Sequence, residues 1–149
     1  MQQAVAARTP VHLWIVGILS LLWNCIGAVD YVMSRTRNTD YLKSMMPYVD
    51  PQAMLAYIDG FPTWASIGWG LGVWLGLAGS VLLLMRSRHA VWAFGLSLVG
   101  AILGLGYQLM NPMPDIEGFM ATGMPTAIIA IAAALFLYAR TQAAKGVLR

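Results

Sequence analysis

The chain has 149 residues, 59% of them hydrophobic and only 10% charged, with a mean hydropathy of +0.67. Soluble domains carry about 25% charged residues, so this chain cannot dress a wholly water-facing surface, and lipid is expected to cover much of it. The net charge is +3, but the basic residues form no stripe or groove, which argues against a nucleic-acid partner.

Four apolar stretches reach the roughly 20 residues that a helix needs to cross a bilayer: about 11–33, 63–85, 90–110 and 119–139. Backbone in lipid must satisfy its own hydrogen bonds, so each is expected to be a helix. The predicted fold is an all-α, four-helix transmembrane bundle in a single domain.

Residues 1–10 read as a short tail. Span one follows, with His12 and Trp14 placed at a membrane interface. Its apolar run exceeds a signal-peptide core of roughly 7–15 residues and lacks a small-x-small cleavage site, so it reads as retained. Cys25 is the single cysteine. It excludes an intramolecular disulfide and a multi-cysteine metal site, and reads as a buried small apolar group.

The loop over 34–62 reads as structured. Tyr41, Leu42, Met45 and Met46 recur at near-helical spacing until Pro47. Asp50 reads as an N-cap with Pro51 at the first helical position, and Gly60 closes that helix. One or two short amphipathic helices lying on the membrane interface are expected.

Span two carries Gly68, Gly72, Gly76 and Ser80 at a four-residue repeat, on one helix face. Small residues there let another backbone approach closely. Span three offers a matching surface of Ala93, Ser97, Ala101, Gly100 and Gly104. These faces meet either each other or a second subunit. The short link Arg86-Ser87-Arg88-His89 favours the contact within the chain. Span four is free of charge until Arg140, and the basic tail beyond it could touch anionic lipid head groups.

Charge then sets a topology. Asp30, Asp40, Asp50, Asp59, Asp115 and Glu117 all flank alternate ends of the spans, whereas Arg8, Arg86, Arg88, Arg140, Lys145 and Arg149 flank the others. Only Arg35, Arg37 and Lys43 share the acidic side. Lys and Arg mark the cytoplasmic side, which predicts both termini inside and the loops 34–62 and 111–118 outside.

One polar constellation lies near the membrane core: Trp23, Asn24, Gly27, Asp30 and Tyr31, followed by Arg35, Arg37 and Asn38. Ionisable groups in a bilayer are costly and often functional. These residues read either as an outward-facing polar pocket, with Asp30 taking a cation or proton and Arg35 or Arg37 an anion, or as structure. In the structural reading Asn24 bonds a neighbouring helix and Asp30 pairs with Arg35 or Arg37.

Met33, Met45, Met46, Met54, Met110, Met113, Met120 and Met124 fall in the same half of the chain's implied membrane layout. Thioethers suit Cu(I), but they also fill irregular apolar space. His12 and His89 have no partner at ligand spacing. No nucleophile, metalloprotease, phosphate-loop or haem-attachment motif occurs. The expectation is a protein without catalytic residues, metal or cofactor.

The stretches Leu21–Met33, Thr36–Tyr41, Phe61–Trp64, Gly72–Trp74, Arg86–Arg88, Leu137–Arg140 and Gly146–Arg149 together form the pattern LLWNxxGAxDYxM, TRNxxY, FPxW, GVW, RxR and LYAR with GVLR. In these the chain resembles an uncharacterised family of small four-span bacterial inner-membrane proteins, some of which carry the name "sugar transporter". The likeness spans nearly the whole chain. It departs at Pro51-Gln52, where the pattern has Pro-Glu. It implies a multi-pass protein of the bacterial inner membrane.

Three functional expectations follow. The first is an accessory or scaffold subunit that packs through the small-residue faces in a homo-oligomer or with other membrane subunits. The second is a small-solute transporter or channel using the polar pocket. The third, weaker, is methionine-based copper handling.

Overall fold

A computed structural model describes residues 9–149; Arg8 and most of the N-terminal tail lie outside the described residues. Six α-helices follow in order: α1 (Val11–Arg35), α2 (Thr39–Met45), α3 (Pro51–Asp59), α4 (Thr63–Leu84), α5 (His89–Met110) and α6 (Met124–Ala144). A π-helical turn (Phe119–Gly123) leads into α6. Four helices, α1, α4, α5 and α6 with its π-turn, are long and apolar enough to cross a membrane. Their flanks carry large apolar side chains that no protein covers, such as Ile15, Leu19, Leu22 and Ile26 on α1. That surface fits an integral membrane protein solvated by lipid.

Local chemistry explains the boundaries. Pro10 and Pro62 stand just before α1 and α4, where a missing N–H costs no helical bond. The Asn38 side chain accepts from Tyr41 N–H and opens α2, and Asp50 accepts from Gln52 N–H and opens α3 with Pro51 next. Pro125 has no N–H to give to the preceding turn. Before it the chain winds one residue wider, so that Met124 N–H reaches Phe119 O.

Packing runs in a chain of neighbours, α1 on α4, α4 on α5 and α5 on α6. α1 and α6 scarcely meet, so the bundle is open between them. The closest seam is α4 on α5, where the small residues face one another. A Cβ on Gly100 would lie 2.6 Å from Gly68 O, and one on Gly104 would lie 2.9 Å from Trp69 N. Gly72 lies against the backbone of Ala101, and Gly76 lies under Asn24 of α1 and Ser97 of α5. Of the two expectations for these faces, the intramolecular one holds. The stripe of Gly68, Gly72, Gly76 and Ser80 is used within the chain.

The two ends of the bundle are closed differently. At one end Leu13, Leu83, Ala90, Phe94, Ala139, Val147 and Leu148 form a core. The tail turns back through Gly146 (φ 69), and Arg149 exchanges backbone hydrogen bonds with Arg86 and Arg88. The tail is thus half buried, because Val147 and Leu148 continue the apolar face beyond the helix end, while Lys145 and Arg149 stay exposed. His12 and Tyr138 add a hydrogen bond of 2.6 Å between α1 and α6. At the other end α2, α3 and the 111–118 loop pack together through Leu42, Met54, Leu55 and Met113. The acidic residues gather at this end and most of the basic residues at the tail end.

Candidate functional site

The opening between α1 and α6 is a cavity of about 440 Å³. Trp23, Asn24, Ile26, Gly27 and Asp30 supply the α1 wall, and Met124, Pro125, Ile128, Ile131, Ala132 and Leu135 the facing wall on α6. The floor is Gly72 and Gly76 of α4 with Ser97, Ala101, Gly104 and Gln108 of α5. The α2–α3 elements form the roof, with Tyr41, Met45, Met46, Met54 and Tyr57 at its edge. The glycines of the floor hold the helices close beneath the cavity: a Cβ on Gly72 or Gly104 would meet the facing backbone across the α4–α5 seam, and one on Gly76 would meet Asn24 and Ser97.

The residues expected to share one polar pocket separate into four groups. Trp23, Asn24, Gly27 and Asp30 line the cavity. Arg35 and Arg37 do not. They border a separate hollow of about 130 Å³ with Asp59, and Arg37 grips Asp59 through two hydrogen bonds of 2.9 and 3.2 Å. Tyr31 turns the other way, edge-on to Trp69 and Trp74, with its hydroxyl against Gly70. Asn38 is spent as the α2 cap. The physical reason is helical phase. Arg37 lies past the end of α1 in a left-handed turn (φ 59), which swings its side chain towards α3 and away from Asp30.

Asn24 does what the structural reading expects. Its amide donates to Ser80 Oγ at 3.1 Å and to Ser20 O at 2.8 Å, and Ser80 in turn donates to Gly76 O. This polar contact clamps α1 onto α4. Ser97 donates to Gly72 O at 2.6 Å and does the same for α5 on α4.

Asp30 does not follow that reading. It is half-buried, and its one side-chain bond is from Tyr41 Oη to Oδ1 at 3.2 Å. Among the described residues no Lys, Arg or His pairs with it, since the ion pair present joins Arg37 to Asp59. Burial, and then the charge and hydrogen bond of Asp30, push the Tyr41 phenol above its usual range. Tyr57, at the roof, is pushed up to about 12, first by burial and then by neighbouring Tyr107. Its hydroxyl donates to Asn111 O at 2.6 Å and ties α3 to the far loop.

Gln108 also belongs to the site, although it falls in no motif of the sequence. It lines the cavity with no side-chain hydrogen bond among the described residues, and its being the one amide in span three was the available signal. Met45, Met46, Met54, Met113, Met120 and Met124 gather at the cavity, while Met33 accepts from Asn38 and Met110 is exposed. No group of three or more His, Cys, Asp or Glu occurs among the described residues. Cys25, expected in the interior, is exposed on α1, because among the spanning helices α1 packs along its length on α4 alone.

Compared with models of protein families, with curated proteins and with solved structures, the chain matches none.

Proposed function

We propose that the chain is a non-enzymatic, multi-pass protein of the bacterial inner membrane that binds and carries a small amphiphile in the α1–α6 cavity. The observation that supports this reading is the cavity itself. It is of ligand size, walled by apolar side chains within the spans, and has few polar groups free to orient a guest. Six methionines at its wall suit guests of varied shape, since thioether side chains adapt their packing.

A sugar fits this space poorly. Each hydroxyl taken out of water needs a partner, and the polar side chains free to serve are chiefly Asp30 and Gln108. An accessory role has lost the surface on which it rested, because the small-residue stripe is occupied within the chain. Assembly with further copies would use the lipid-facing sides of α1 and α6 instead. The charge layout keeps the cavity's roof on the outer side of the membrane.

Trp23 and Trp69 line the cavity and provide the test. In lipid nanodiscs, 1-bromonaphthalene should quench tryptophan fluorescence along a saturating curve. Ala132→Phe, which places a ring in the cavity of about 440 Å³ and narrows it, should weaken this saturable quenching towards the linear response of simple partition. A linear curve for the parent protein would remove the reading.

A further inference from the structure

We infer that the cavity selects a lipophilic monocation, an ammonium on an apolar body, and that this cation exchanges with a proton at Asp30. The inference rests on the ligand-binding reading above and names the chemistry of its guest.

Three observations carry it. Asp30 stands at the cavity wall with one oxygen bound to Tyr41 and the other, Oδ2, without a partner among the described residues. Of the two guanidiniums that could neutralise it, Arg37 is committed to Asp59 and Arg35 borders the separate hollow beside that pair, off the cavity wall. The titratable groups on the cavity wall are Asp30 on α1, Tyr41 on α2 and Tyr57 on α3; the surfaces from α4, α5 and α6 bring no charged or titratable side chain. A carboxylate in such surroundings is costly while ionised and alone. Two events relieve it: it takes a proton, or it pairs with a cation that enters the cavity. Both use the same oxygen atoms, so they compete. Ammonium binding to the protonated carboxyl releases that proton to solvent, and the N–H of the guest then bonds Oδ2. An anionic guest is excluded by the same charge.

The ammonium could belong to a dissolved lipophilic amine or to an aminophospholipid head group. The apolar walls serve either, and the chemistry at Asp30 is shared.

Two heavy-atom quenchers of matched shape decide the matter, 4-bromophenethylamine, a cation at neutral pH, and 4-bromophenethyl alcohol. Quenching of cavity tryptophans is measured in phosphatidylcholine nanodiscs. The amine is expected to bind at least tenfold more tightly than the alcohol. Its affinity is expected to fall as pH is lowered and Asp30 takes a proton, while that of the alcohol stays level. Asp30→Asn should erase the preference and retain the alcohol. Equal affinities, or a preference unmoved by pH, overturn the inference in the parent protein alone, whether or not Asp30→Asn folds. If the alcohol and 1-bromonaphthalene also fail to saturate, the cavity reading itself is what has failed. Replacing part of the phosphatidylcholine with phosphatidylethanolamine identifies the source: competition with the amine marks a lipid head group, and an unchanged affinity marks a dissolved amine.

Discussion

Arg37 and Arg86 hold left-handed backbone angles, φ 59 and φ 58, where glycine is the usual occupant after a helix. In both cases the turn closes by the same bonds. Arg37 N–H reaches Ser34 O and Asn38 N–H reaches Met33 O, as Arg86 N–H reaches Leu83 O and Ser87 N–H reaches Leu82 O. Each conformation costs about 1 kcal/mol for a residue with a Cβ, so the side chain must be wanted for another reason. For Arg37 that reason is Asp59, although an exposed pair of this kind contributes only about 0.2–1 kcal/mol. The consequence for the site is larger than the energy, because the pairing takes Arg37 away from Asp30, while Arg35 borders the same separate hollow. Tyr57 yields a prediction at the same scale. Its phenol is raised from 10.0 to about 12 in the folded chain. The neutral form is therefore the one the fold favours, and its stabilisation is present below about pH 10 and lost as pH rises towards 12. A thermal melt series from pH 9 to 12 should show a steeper alkaline fall in the parent than in Tyr57→Phe, which at neutral pH should lose about 1 kcal/mol with its bond to Asn111.

At the scale of elements, the α4–α5 seam decides where space remains. Gly68, Gly72, Gly100 and Gly104 let two backbones touch, and a methyl group on Gly100 would have to displace Gly68 O at 2.6 Å and Gly72 N at 2.5 Å. Neither is the flexible end of a side chain, so the helices themselves must part. Gly100→Ala is expected to destabilise by about 1–3 kcal/mol, the cost of overpacking. Gly106, on the same helix with nothing within 4 Å of its would-be Cβ, is the control: Gly106→Ala should be neutral or stabilising. Unfolding in mixed micelles, followed by helical circular dichroism, compares the two. The repeat of small residues showed that a close seam exists, and the four-residue link indicated which helices share it. That Gly76 would lie under Asn24, giving α4 contacts with both α1 and α5, depended on rotations about each helix axis that spacing along one chain does not contain.

For the molecule as a whole, the ends of the bundle differ. The tail end is tied by Val147, Leu148 and the His12–Tyr138 bond, and the other end is roofed by two short helices over an open cavity. The charge layout predicts that the roofed end is the outer one. In a Cys25→Ser background, a thiol placed by Glu117→Cys should react with a membrane-impermeant maleimide in intact cells. Labelling that requires lysis would reverse the sidedness and place the cavity mouth on the cytoplasmic face.

The four spans, their limits within a few residues, the cap at Asp50, and the gathering of carboxylates at one end were legible in the sequence, whereas the cap at Asn38 was not. Each follows from solvation or from local backbone chemistry, and neither needs a distant partner. The candidate site was legible only in part. Trp23, Asn24, Gly27 and Asp30 share a helix face that periodicity reveals, but which cation Asp30 would meet could not be read there. Only the tertiary structure decided that Arg37 turns to Asp59, that Tyr31 leaves the group, and that α1 and α6 stand apart around a cavity. Those outcomes depend on the phase and separation of packed helices, which arise from side chains of several segments at once.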